Sequence, residues 1–342
     1  MSEQKQPKSL QELQQQLTAP FGKLEHSTSR IGVSEDAAFV QADTDEGTLV
    51  SSQLLLEGIH FDLVYFPLQY LGFKAVTMAV ADLVAMGGRA EQLMLNIGTS
   101  QRFSEVDLQI LLRGAREACQ LYRLDLLGLM PTTSLTGLTI SATVLGSVRL
   151  DGVLQRKGAQ PNDLLCITGN LGAAYMGLQL LLREKAAFGE GGEGFTPRFE
   201  GREYILERQM KPIARIDILQ QLQAAGIRPT AMIGVRNGLA NDLLTLAAAS
   251  NVGARLYEPK IPMDHETVGM AQDFGLEPTT VALHGGEDYE LLFTIPLGMK
   301  DLLDALPDIH QVGFITDAEQ GVRLISSGGS ETTIHPFMGV QA

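Results

Sequence analysis

The sequence predicts an α+β fold in two parts, and three observations support this. Stretches of strand period alternate with stretches of helical period along most of the 342 residues. A turn-rich run, KGAQPND (Lys157–Asp163), separates two such series near the middle. The length suits two domains sharing an interface, and it allows a core without disulfide staples. The expected divisions are an arm over 1–30, a first domain over 31–150 and a second over 151–342.

The elements follow in order. The arm is polar and glutamine-rich, with one short helix expected from Leu10 to Leu17. Thr48–Leu56 crowds β-branched and apolar residues and reads as a strand. Phe73, Val76, Val80, Leu83 and Val84 recur at helical spacing, and Gly87-Gly88 supplies the stop. Glu91–Ile97 is the next strand. A second helix carries the stripe Leu108, Leu111, Leu112, Ala115 and Cys119, which makes Cys119 a core residue rather than a nucleophile. Thr139–Gly146 alternates as a sheet wetted on one face does. In the second part, Leu164–Thr168 is a strand containing a buried Cys166, followed by a glycine turn and a helix from Ala173 to Lys185. Ala187–Gly201 is glycine-rich and is expected to be a surface loop. Helices at Tyr204–Met210, Ile213–Ala225 and Leu239–Ser250, with strands at Ala231–Val235, Arg255–Tyr257 and Tyr289–Thr294, complete the pattern.

Composition narrows the function. Against 26 Lys+Arg stand 40 Asp+Glu, a formal charge of −14. Such a field repels polyanions, and no basic run interleaved with aromatics offsets it, so no nucleic-acid partner is expected. No stretch reaches the roughly 18 apolar residues of a membrane span, and no signal-like segment opens the chain. A cytoplasmic location without a membrane partner is the expectation. Two cysteines exclude a disulfide-framed scaffold.

The candidate chemistry lies in turns. Glu35-Asp36 follows a small-residue turn, where a carboxylate can hold a cation or simply be solvated. His60 interrupts the apolar run LLLEGIHF, either contacting a ligand or exposed to solvent. Asp82 stands in the apolar run AVADLVAMGG, as an oxygen ligand for Mg²⁺, or as a helix cap or an exposed side chain. Thr132 and Thr133, in the expected loop GLMPTTSL, offer hydroxyls to phosphate or ribose but are also ordinary turn residues. Gly169 and Asn170 open a helix whose free amides suit an anion. Arg236-Asn237 precedes another helix. Glu287 and Asp288 follow a double-glycine turn, the strongest local hint of a site in the second part.

Taken together and in order, EDAAFV, LLLEGIHF, DLVAMGG, LTGLTISATVLG, the run from RKGAQPND to GLQLL, and HGGEDYELLF resemble the thiamine-monophosphate kinases. That family lies within the larger group typified by aminoimidazole ribonucleotide synthetase and selenophosphate synthetase. The likeness runs from about Gly32 to Phe293. It implies a synthetase-like α+β fold whose N-terminal mixed sheet, in a nucleotide-binding and dimerisation domain, pairs across a homodimer into a barrel-like core. It implies a cleft where ATP, with Mg²⁺, phosphorylates thiamine monophosphate. In that cleft Glu35, Asp36, Thr132, Thr133, Gly169, Asn170, Arg236 and Asn237 would contact nucleotide. His60, Glu287 and Asp288 would contact substrate, and Asp82, Asp36 and Glu35 would form a weak or absent metal site.

The departures from the family pattern are concentrated at the metal. Gln53, Met130 and Asn237 stand where the resemblance implies carboxylates, and Glu35 lengthens a fourth. Mg²⁺ demands octahedral oxygen ligands, and phosphoryl transfer is mostly positioning and charge neutralisation. The expected function is a kinase-like protein with impaired catalysis, retaining a nucleotide or small phosphorylated ligand. An active kinase with a rebuilt site is the alternative.

Overall fold

The computed structural model describes residues 29–31, 35, 37–41, 45–191 and 199–336. The helix expected at Leu10–Leu17 and the candidate ligand Asp36 lie outside the described residues.

Strands β1 (Ser29–Ile31), β2 (Ala38–Val40), β3 (Glu46–Leu56), β4 (Arg89–Thr99), β5 (Asp125–Thr133) and β6 (Thr139–Arg149) form one sheet. Their order is β1-β2-β3-β6-β4-β5, antiparallel except for the β4–β5 pair. Period-two alternation turns Leu49, Ser51, Gln53 and Leu55 of β3 inward together. Against that face lies helix α1 (Leu68–Ala85), in which every residue from Leu71 to Ala85 is buried. It is the described helix long and apolar enough to cross a membrane, but 83% of it is covered by protein. The sequence stripe from Phe73 therefore marks only part of a helix that is apolar nearly all round.

Helix α2 (Glu105–Tyr122) packs on α1 and starts at a capping box in which Ser104 and Asp107 bond each other's backbone N–H. The two helices approach through Gly72 and Gly114. A Cβ on Gly72 would stand 2.0 Å from the Leu111 carbonyl oxygen, and one on Gly114 would stand 1.7 Å from that of Gln69.

The barrel expected from the resemblance is corrected here. The six-stranded sheet is open, ending at β1 on one side and β5 on the other, and does not close on itself. The stretch GLMPTTSL is also corrected from loop to strand for its first six residues, Gly128–Thr133. Met130, Pro131, Thr132 and Thr133 pair in parallel with Asn96 to Thr99. Pro131 lacks an N–H, but an edge strand needs none on its outer side.

The second sheet has seven strands in the order β13-β12-β9-β11-β7-β10-β8. These are β7 (Leu164–Thr168), β8 (Ala231–Val235), β9 (Gly253–Tyr257), β10 (Glu290–Ile295), β11 (Ile309–Thr316), β12 (Val322–Ile325) and β13 (Glu331–Thr333). All five residues of β7 are buried, because the sheet is covered on both faces. Leu164 and Cys166 join the core that contains α1, whereas Leu165 and Ile167 face a second core with helix α6 (Leu239–Ser250).

Helix α3 runs from Ala173 to Gly191, so the expected loop from Ala187 is helical for its first turn. Residues 192–198 of that loop lie outside the described residues. Helices α4 (Glu203–Met210) and α5 (Ile216–Ala224) follow, with Gly226 at φ 69° just past the end of α5. Helices α7 (His265–Asp273) and α8 (Pro278–His284) and the strands after Ile295 were not expected from the sequence.

Candidate functional site

The inward face of β3 and the core helix α1 bring three polar side chains together. Asp82, 9% exposed, accepts from the Ser51 hydroxyl at 2.6 Å and from the Gln53 amide nitrogen, both on Oδ2. Two turns earlier on α1, Lys74 is 2% exposed and donates to the Gln209 carbonyl at 2.9 Å and to Glu287 Oε2 at 2.8 Å. Its ammonium also lies 5.5 Å from the centre of the Phe66 ring. Such a buried cation needs every donor engaged. Lys74 thereby ties the first sheet's helix to the second part of the chain.

The double-glycine turn supplies Glu287 in the left-handed region, φ 59°, with its N–H on the Arg236 carbonyl at 2.8 Å. Burial pushes the Glu287 carboxyl up, but the Lys74 ammonium and Arg236 guanidinium outweigh it and hold the group below its ordinary range. His60 is exposed and accepts from the Leu56 N–H at 3.1 Å. Partial burial lowers its pKa, opposed by Glu287 and assisted by Arg236 and Lys74. His60, Lys74, Arg236 and Glu287 thus share one electrostatic neighbourhood. Tyr289, 4% exposed, buries a hydroxyl that has no hydrogen-bond partner among the described residues.

Other expected residues have structural duties. Asp288, 1% exposed, accepts from the Gly172 N–H at 2.9 Å and lies 3.5 Å from that of Ala174, beneath the start of α3. Burial pushes its carboxyl up to about 7, against the opposing pull of Arg208 and the Gly172 N–H. Three N–H groups of this glycine turn have partners within the fold. Gly169 N–H donates to Asp308, Leu171 N–H to Pro262, and Gly172 N–H to Asp288. The Asn170 carbonyl accepts from Arg208 at 3.3 Å. Asn237 gives both its backbone N–H and its side-chain amide to the fully buried Asp242, at 2.8 and 3.0 Å. Glu35 accepts from the Arg156 N–H at 3.0 Å. Thr132 and Thr133 are exposed at the end of the edge strand β5, and no described hydrogen bond joins their side chains to Asp82 or Glu287.

Sequence reasoning missed Lys74, Ser51 and Asp242. The signal for Lys74 was present, since a lysine in an apolar helix demands a partner as much as Asp82 does. It also missed Asp264, His265 and Glu266, whose ligand atoms lie within 4.8 Å of one another at the start of α7. Asp264 already caps that helix by accepting from the Glu266 N–H at 2.8 Å.

Among the described residues, the donor set around Asp82 does not fit Mg²⁺. Gln53 turns its NH₂ face, not its oxygen, toward Asp82, and Met130 offers only a soft thioether 65% exposed on the edge strand. Asn237 spends its NH₂ on Asp242.

Comparisons with known proteins show the family. The family model for AIR synthase related protein, N-terminal domain, matches residues 34–148. The thiamine-monophosphate kinase of Synechococcus elongatus is 31% identical over 83% of each chain. That of Pyrococcus abyssi is 30% identical over 80% of each chain. A solved structure described as AaThiL complexed with AMPPCP and TMP superimposes with a TM-score of 0.79 at 26% identity, covering 95% of this chain and 94% of the other. With relatives at this identity and coverage, the chain belongs to the thiamine-monophosphate kinase family.

Proposed function

We propose that this family member binds a nucleotide or small phosphorylated ligand in the cleft between Asp82 and Glu287, and transfers phosphate poorly or not at all. The observation that carries the reading is the clasp of Ser51 and Gln53 on Asp82, which fills with amide and hydroxyl donors the place where a cation would be needed. Phosphoryl transfer between two anions relies on that cation to neutralise developing charge, and loss of one oriented electrostatic element costs about 100-fold in rate. The ligand class is supported by the relative described as complexed with AMPPCP and TMP, and by Lys74, Arg236 and His60 near one another in this chain. ATP, with or without Mg²⁺, is the cofactor this reading tests.

The reading further includes a cytoplasmic homodimer, and divides the chain at 150/151 between a nucleotide-binding domain and a C-terminal α+β domain. A second copy is supported by the exposed apolar edge strand β5, where Leu127 and Met130 are each 65% exposed. The test is ATP consumption by the purified chain with thiamine monophosphate and Mg²⁺, alongside calorimetric binding of each ligand and a mass measurement in solution. The expected outcome is ligand binding, twice the chain mass, and turnover below about 0.01 s⁻¹. Turnover near about 1 s⁻¹ would establish an active kinase instead.

A further inference from the structure

We infer that Gln53 and Asn237 are built-in donors that hold the buried carboxylates of Asp82 and Asp242 without a cation, making the site at Asp82 independent of magnesium. The inference rests on the reading of this cleft as the ligand site and goes beyond it by assigning how the site keeps its charge.

The argument begins with burial. An ionised carboxylate at 9% exposure, or at none, is expensive unless its lone pairs are met. Asp82 Oδ2 receives two donors, Ser51 and Gln53, which is the full capacity of that oxygen. Asp242 Oδ2 receives the N–H groups of Arg236 and Asn237, both at 2.8 Å, while Oδ1 receives the Asn237 amide at 3.0 Å. Two acids on different helices are thus each held by a neutral side-chain amide. The amide faces matter: Gln53 with its oxygen toward Asp82 would set two acceptors against each other, an arrangement that a cation between them would stabilise. The donor face removes that need at Oδ2. An aspartate or glutamate at 53 would instead place two negative groups in one buried site, where a divalent cation restores balance.

The test compares thermal unfolding of the intact chain and its Gln53→Glu variant in about 10 mM Mg²⁺ and in EDTA, without nucleotide. The wild-type midpoint is expected to agree within about 1 °C between the two conditions. Gln53→Glu is expected to unfold several degrees lower in EDTA and to regain at least half of the loss with Mg²⁺. A saturable Mg²⁺ stabilisation of the wild type overturns the inference, and so does a Gln53→Glu variant as stable as wild type in EDTA. If that variant does not fold, the wild-type comparison alone still decides. ATP binding is then titrated in both conditions. Equal affinity supports the inference, and binding that requires Mg²⁺ overturns it while leaving the ligand reading intact. Failure of ATP to bind in either condition, with a Mg²⁺-insensitive wild type, supports the clasp and rejects the ligand reading.

Discussion

Replacing Asp288 with asparagine isolates the energetic consequence of burying a carboxylate under the start of α3. In the folded chain this carboxyl is pushed from its ordinary 3.8 up to about 7, with burial the largest cause, Arg208 and the Gly172 N–H opposing it, and Glu290 adding to it. Between those two values the folded chain keeps a proton that the unfolded chain releases. The favourable contribution is therefore full below 3.8 and is lost as pH rises through about 7. At about 1.4 kcal/mol for each pKa unit, the ceiling is about 4 kcal/mol. Asparagine keeps an acceptor for the Gly172 N–H but has no charge to desolvate. Urea unfolding of both proteins between pH 5 and pH 8 should show the variant gaining on wild type by about 1 kcal/mol per pH unit up to neutrality. Parallel stability curves would refute the reasoning, because they would mean that Asp288 titrates alike in the folded and unfolded chains.

Two further outcomes are expected. Lys74→Met strands the Glu287 carboxylate and the Gln209 carbonyl; because Glu287 remains 34% exposed, the cost should be about 1–3 kcal/mol, less than for a fully buried pair, read as a lower unfolding midpoint. Gly114→Ala gains helix propensity of about 1 kcal/mol but drives a methyl against the Gln69 carbonyl, so a net loss of about 1–3 kcal/mol in chemical denaturation is expected.

What could be read in the chain beforehand follows its physical patterns. β6 alternates along its whole length and β7 is apolar throughout, so both were plain from residue order. β5 was not, since Pro131 and a run of hydroxyls look like a turn unless the strand is known to lie at an edge. The short helices α7 and α8, of nine and seven residues, carry too few apolar repeats to stand out. Within the site, Asp82 and Glu287 were visible as acids among apolar residues. The division of labour between Glu287 and its neighbour was not, because it depends on the fold. A left-handed turn sends Glu287 toward Lys74 while Asp288 goes beneath a helix formed more than a hundred residues earlier. Gln53 could be recognised as a departure from the family pattern, but its hydrogen bond to Asp82 arises only when β3 and α1 pack face to face.

The enclosure of α1 from Leu71 to Ala85 has a consequence for any ligand that reaches this helix. Lys74 and Asp82 are eight residues apart on a helix that cannot bend or slide without disturbing the packing on every side, so about 12 Å of fixed axial length separates them. The helix acts as a ruler. A compound small enough to sit wholly beside Glu287 cannot feel a substitution at Gln53 by contact, whereas one that spans the ruler must register changes at both ends.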